Sequence, residues 1–199
     1  MFHEPFMSSM AIAAQNMCRQ IQGFQLAFVQ SDEVSILLTD YATHDTDAYF
    51  GYVQNKIESV LASMMTAYFA KEAYENIDNG KIACFDARAF NVPREEVTNY
   101  FLWRAKDWER NSVQMYAQAN YSQKQLHGKN QEAMHDMLHD KGLRWAHDIS
   151  ERGKNGTYIT KFVRSTIIQR VDIKPRFEIL DAIIDPLVNC DKEDTNGTS

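Results

Sequence analysis

The chain has no run near the roughly 20 consecutive apolar residues that a membrane-crossing helix requires. Its N-terminus shows neither the basic stretch nor the small-residue cleavage site of a secretion signal. A soluble, intracellular or cytoplasmic protein is therefore expected. Cysteine is scarce: the three present, Cys18, Cys84 and Cys190, lie far apart and form no CxxC pair. An odd, scattered set supports neither a disulfide framework nor a zinc ribbon, so reduced thiols are expected, with Cys18 and Cys84 in the core. Excess positive charge is missing too. A formal charge of −6 argues against indiscriminate nucleic-acid binding, which relies on Lys and Arg neutralising phosphates. There is no internal repeat, and the one low-complexity stretch is the polar end from Asp191.

What is present suffices for one sizeable core, with 199 residues of which 44% are hydrophobic. The expected organisation is one domain over residues 1–190 and a frayed tail over 191–199. Charge is unevenly spread: residues 141–176 hold nine Lys or Arg against three acids. That stretch reads either as a phosphate-facing surface or as a solvated face.

Met7, Met10, Ala11, Ala14, Met17, Cys18 and Ile21 repeat at steps of three and four, which predicts an amphipathic helix over 7–21. A hairpin of strands 24–30 and 34–39 follows, then a long helix within 48–74 with Lys56, Ser59 and Ser63 on one face. Lys81–Phe90 reads as a strand ended by Asn91 and Pro93. Pro93-Arg94-Glu95-Glu96 opens a helix over 95–120, which brings Arg104, Asp107 and Asn111 to one side. Ser122-Gln123-Lys124-Gln125 has capping-box spacing, a short helix spans 131–141, 152–156 reads as a loop, and 157–162 and 166–171 are strand-like.

The most informative stretch is Gly23–Leu38, in which two apolar, β-prone runs flank Ser31-Asp32-Glu33. A carboxylate buried in a sheet costs several kcal/mol unless it is paired, whereas at a hairpin tip it can face solvent and hold a divalent metal. The same three residues are also an ordinary polar turn, and the dipeptide alone leaves both readings open.

The order and spacing of several motifs extend this reading. Gln30-Ser31-Asp32-Glu33-Val34-Ser35 is followed by Lys56-Ile57-Glu58-Ser59-Val60, Phe85-Asp86-Ala87-Arg88-Ala89-Phe90, Asn99-Tyr100-Phe101-Leu102-Trp103-Arg104, and Asp107 through Ser112. From about residue 5 to about 160 the chain resembles the Thg1-like family, the tRNA-His guanylyltransferases and their relatives that add nucleotides to RNA 5′ ends. The resemblance implies an α/β (α+β) fold, a polymerase-palm-like antiparallel sheet packed against long helices. It further implies addition of a nucleotide, typically G, to tRNA or a related RNA in the 3′→5′ direction. GTP or ATP would be the substrates, with two Mg²⁺ ions and a homo-oligomeric assembly.

Carried over residue by residue, the resemblance makes Asp32 a metal ligand and catalytic carboxylate, with Glu33 beside it. Ser31, Asn111 and Lys56 become nucleotide contacts, and Arg88 matches a basic position. Arg104, Arg110, Arg152 and Lys154 are expected to face RNA. Three departures matter. The family's first strand, with its Asp-Gly-Lys-Ala-Phe-His type motif and first metal-binding Asp, has no counterpart, because Met1–Phe6 aligns with a later Gly-Phe-Lys-Lys-Pro-Phe-Asp segment. Glu4 stands where a phosphate-contacting lysine is usual and Met7 where an aspartate is. Glu109 replaces the histidine of the family's His-Ile-Asn-Asn motif, which removes one basis for tRNA-His specificity. A palm that binds RNA or nucleotide without a complete metal site is the alternative function. A further motif, His135-Asp136-Met137-Leu138-His139, approximates the H-E-x-x-H zinc helix, with His147 the nearest third ligand; a solvated helix face with Met134, Met137 and Leu138 turned inward accounts for it as well.

Overall fold

The computed structural model describes residues 3–41, 46–76, 82–161, 168–171 and 173–188. In chain order these form α1 (Glu4–Cys18), β1 (Phe24–Gln30), β2 (Glu33–Leu38), a 3₁₀ turn (Tyr49–Tyr52), α2 (Gln54–Asn76), a second 3₁₀ turn (Arg94–Glu96), α3 (Val97–Asn120), α4 (Gln123–Leu126), α5 (Gln131–Asp140), α6 (Trp145–Asp148), α7 (Glu151–Asn155), β3 (Thr157–Lys161), β4 (Ile168–Val171) and α8 (Phe177–Val188). The four strands make one antiparallel sheet in the order β2-β1-β3-β4.

β1 organises this sheet because all seven of its residues are buried. Alternate residues of a strand point to opposite faces, and a register shift between Phe24 and Leu26 changes which ones. Phe24, Ala27 and Val29 pack with Met10, Ala14, Met17, Met65 and Phe69 of α1 and α2. Leu26 and Phe28 pack on the other face with Phe101, Trp108, Leu180 and Ile184 of α3 and α8. A smaller cluster joins the end of α3 to α4–α6 through Val113, Leu126, Met134 and Leu138. The capping box at Ser122 forms, and α5 ends at Gly142 at positive φ, where glycine avoids the Cβ penalty.

The sequence expectations depart from the structure in four places. Residues 82–90 are extended but belong to no ladder. Odd residues from Ala83 to Ala89 are half-buried against α2, with Phe85 edge-on to Phe69 at 5.6 Å, while even residues are exposed. The backbone is satisfied instead by helix side chains: Phe85 N donates to Thr66 Oγ1 (3.1 Å) and Ala89 N to Glu58 Oε1 (2.9 Å). Period-2 patterning marks an extended chain, and only a neighbouring strand makes it a β-strand; among the described residues none lies beside it. Cys84, expected in the core, falls on the exposed face of this segment. Cys18 is buried, and burial pushes its thiol pKa far up, leaving it inert. Residues 152–156, read as a loop, instead lie mostly within the helical turn α7 (Glu151–Asn155), capped by Ser150 Oγ, which accepts from Gly153 N. The sequence analysis names no element over α8, which holds Pro186 inside it and buries Leu180, Ile184, Leu187 and Val188. The 191–199 tail and Cys190 lie outside the described residues.

Two predictions follow from the packing. Gly156 sits at φ +72°, and a Cβ there would meet Phe28 Cε2 at 2.5 Å and Val29 O at 2.8 Å. Gly156→Ala should therefore destabilise the protein by about 3 kcal/mol, the sum of left-handed strain and core overpacking, measured by urea unfolding. Tyr116 Oη donates to Asp148 Oδ2 at 2.6 Å, tying α3 to α6, and this bond, with that from Arg144 N, holds the Asp148 carboxyl below the usual carboxylate range. A depressed carboxylate contributes stability above its unfolded pKa of about 3.9 and loses it as pH falls through the lower folded value. The Tm difference between wild type and Tyr116→Phe should accordingly be largest near neutrality and shrink as the pH approaches the folded-state pKa of Asp148.

Candidate nucleotide site

β1 and β2 are joined by the two residues Ser31 and Asp32, the shortest common hairpin loop. Ser31 adopts φ +48°, as the first central position of a type II′ turn requires, although glycine usually fills it. The turn leaves Asp32 exposed. Glu33 is engaged: Oε2 accepts from the Gln30 amide at 2.8 Å and from the Arg104 guanidinium. A stripe of α3 runs past this tip. Tyr100 Oη meets Ser35 Oγ at 3.1 Å, Arg104 pairs with Glu33 and Asp107, and Asp107 also accepts from Arg110 and from Asn111 Nδ2 at 3.4 Å.

Behind the tip lies a shallow pocket lined among others by Met7, Gln30, Ser31, Trp108, Arg152 and Thr157, with no acid in its wall. Gln30 and Thr157 are buried, and Gln30 Oε1 and Thr157 Oγ1 have no hydrogen-bond partner among the described residues. Buried polar atoms are nearly always satisfied, so these two oxygens, on residues that line the pocket together with Arg152, leave polar capacity there that a bound polar group could satisfy. α7 positions Arg152, whose Nη1 donates to Ser8 Oγ at 3.2 Å. Glu4, which stands where the family usually has a phosphate-contacting lysine, is turned to the α7 cap, accepting from Ser150 Oγ at 2.9 Å, and is absent from the pocket wall.

The structure thus brings Ser31 and Arg152 together, with Asp32 on the outer side of the same turn and Asn111 on the adjoining stripe. It does not bring Lys56 there: its ammonium lies over the Phe50 ring at 4.6 Å. Arg88 pairs with Asp86 at 3.7 Å, both exposed. Lys154 is spent on Ala146 O (2.8 Å) and Glu151. Arg110 and Arg104 are held by carboxylates of their own chain. His135 packs edge-on against Trp145, with ring centroids 5.7 Å apart, and among the described residues no three His, Cys, Asp or Glu gather as a metal site. That removes structural support from the zinc reading. It also bears on Mg²⁺: Asp32 offers one free carboxylate and Glu33 is neutralised by Arg104, so these residues by themselves do not fit a two-ion centre. Gln30 and Thr157 were missed in the sequence. Their signal was a polar residue closing an apolar strand beside the turn, and a threonine opening one after Asn155-Gly156.

A four-stranded antiparallel sheet with helices packed on both faces and a polar pocket at a hairpin tip is a palm-like α/β architecture. Residues 2–93 match the family described as tRNAHis guanylyltransferase. A bacterial tRNA(His) guanylyltransferase (Thg1)-like protein in complex with ATP is 33% identical, with a TM-score of 0.87 over 94% of this chain and 81% of that one. A second bacterial Thg1-like structure, in complex with GTP, is 27% identical with a TM-score of 0.72, covering 94% and 79%. The tRNA(His) guanylyltransferase of Saccharomyces cerevisiae, at 19% identity, shares the fold with a TM-score of 0.66 over 80% and 75%. No curated protein matches the chain significantly. The chain belongs to the Thg1 family of nucleotidyltransferases.

The unpartnered Thr157 hydroxyl generates a prediction. Thr157→Val keeps the shape and removes a buried, unsatisfied group, so unfolding free energy should stay within about 1 kcal/mol of wild type or rise. Affinity for inorganic triphosphate, measured by calorimetry, should fall in the same variant if the pocket takes phosphate.

Proposed function

We propose that this chain adds a nucleotide, G in the first instance, to the 5′ end of tRNA or a related RNA, in the 3′→5′ direction. The observation that carries the reading is the pocket at the Ser31–Asp32 turn, lined by Arg152 and by two residues that each carry an unsatisfied buried oxygen, Gln30 and Thr157, with no acid in its wall. The two bacterial relatives, described in complex with ATP and with GTP, support nucleotides as the ligands. In the proposed reaction the RNA 5′-phosphate attacks the α-phosphate of ATP, giving an adenylylated end and pyrophosphate. The 3′-hydroxyl of GTP then attacks the RNA 5′ phosphorus, a new P–O bond forms, and AMP leaves with the electrons of the broken bond. Ser31 and Arg152 would bind phosphate, Asn111 would contact the triphosphate from α3, and Arg110 and Lys154 would reach RNA phosphates only by releasing their present partners. A homo-oligomer belongs to the same proposal.

The incomplete carboxylate set is the specific observation that favours the second reading, a palm that binds RNA or nucleotide without turnover. It is tied to the sheet. β2 is an edge strand, none of its residues is fully buried, and Val34, Ile36 and Leu38 contact the same cluster as Ala83 and Phe85 of the unpaired segment 82–90. β2, α2 and that segment form a β-α-β unit with no ladder between its two extended parts, as in a split β-α-β arrangement with no middle strand among the described residues. We propose that a strand bearing the Asp-Gly motif lies there and supplies the second carboxylate. Unpaired strand edges are unfavourable unless covered.

The test compares the 199-residue chain with a form extended at its N-terminus by such a strand, using 5′-triphosphorylated and 5′-monophosphorylated RNA with ATP, GTP and Mg²⁺. The extended form should be far faster, because phosphoryl transfer depends on positioning and charge neutralisation. Asp32→Ala should abolish addition in both while leaving the far-UV spectrum unchanged. Equal rates for the two forms would mean that another residue completes the site; near-normal turnover in Asp32→Ala would remove Asp32 from it.

A further inference from the structure

The two carboxylates at the hairpin tip are treated differently. Asp32 is exposed and engages no described residue. Glu33 accepts on a single oxygen from both the Gln30 amide and Arg104. Arg104 itself is not a surface arm: its side chain is 14% exposed, its guanidinium lies 5.0 Å from the centre of the Trp103 ring, and Asp107 Oδ2 stands 3.9 Å from its Nη1. Two acids and an aromatic face already occupy the cation. An arginine spent in this way offers RNA phosphate little, and the group it fixes is the hairpin.

We propose that Arg104 is a positioning residue for the nucleotide site, holding Glu33 and through it the Ser31–Asp32 turn. Gln30 and Glu33 are the last pair of the β1–β2 ladder, so anchoring Glu33 on α3 pins the strand end from which the turn projects. Ser31, held at φ +48°, is a conformation that relaxes unless its surroundings over-determine it. The same anchor orients Gln30: with its NH₂ committed to Glu33, its Oε1 is left without a partner beside the pocket. Glu33 is thereby assigned to geometry, not to metal binding, and Arg104 to the tip, not to RNA. This inference rests on the nucleotide-addition reading for its effect on rate, but not for its effect on the turn.

Two measurements keep these apart. Hydrogen–deuterium exchange of the full chain reads the turn directly. Arg104→Met, which retains the apolar stem over Trp103, should speed exchange across residues 30–35 about tenfold and leave β3 unchanged. In the nucleotide-addition assay the same variant should lose roughly ten- to a hundredfold in kcat, with KM for GTP moving less than about threefold, as expected when a group is misplaced and not removed. Arg104→Lys should fall between, and the reversed pair Glu33→Arg with Arg104→Glu should recover more than half of the loss in both readouts. If Arg104→Met does not fold, the lysine variant and the reversed pair decide by the same criteria. Unchanged exchange in the turn would overturn the proposal, as would weakened RNA binding with unaltered kcat, which would make Arg104 an RNA contact. Should the N-terminally extended form prove inactive as well, the functional reading falls, and the exchange rates alone decide whether Arg104 holds the turn.

Discussion

The structure depends on one constraint, the two-sided burial of β1. A strand whose seven residues are all buried cannot have a solvent face, so both sides of the sheet must be roofed. α1 and α2 take one side, α3 and α8 the other. The irregularity after Phe24 is part of this solution: it shifts the alternation by one residue and lets Phe24 and Leu26 serve opposite layers. Because hydrophobic contacts fill the middle of the strand, polar function is displaced to its end, where Gln30 and Ser31 emerge.

That displacement explains why the site combines residues so distant in sequence. β3 is paired to β1 with Val29 opposite Thr157, so the start of β3 and the α7 turn before it arrive beside the β1–β2 hairpin. Gly156 permits this approach because no side chain could fit against the Phe28 ring there. Arg152 reaches the pocket from that corner, and α3 supplies its stripe from across the layer.

Much of this was legible in the sequence because its signals are local. The steps of three and four in α1 and α3, the Ser122 capping box and the polar turn between two β-prone runs each follow from short-range geometry. What escaped depends on distant partners. No local pattern could say that Glu33 would be neutralised by Arg104 or that Lys56 would settle over Phe50. The alternating stretch 82–90 has strand periodicity, but its status is decided by whether a neighbour offers hydrogen bonds. The family resemblance pointed to Ser31 and Asp32, whereas the unsatisfied oxygens of Gln30 and Thr157 are visible only once the fold has enclosed them.

The exposed face of residues 82–90 has a practical consequence. Cys84 lies on it, while the thiol of Cys18 is sealed in the core with its pKa pushed up. Ionised, accessible sulfur is what alkylating reagents consume. Among the described cysteines, therefore, chemical labelling is directed to the one residue on the segment that has no strand neighbour among the described residues, and a fluorophore placed there becomes an intrinsic gauge of whatever comes to lie against it.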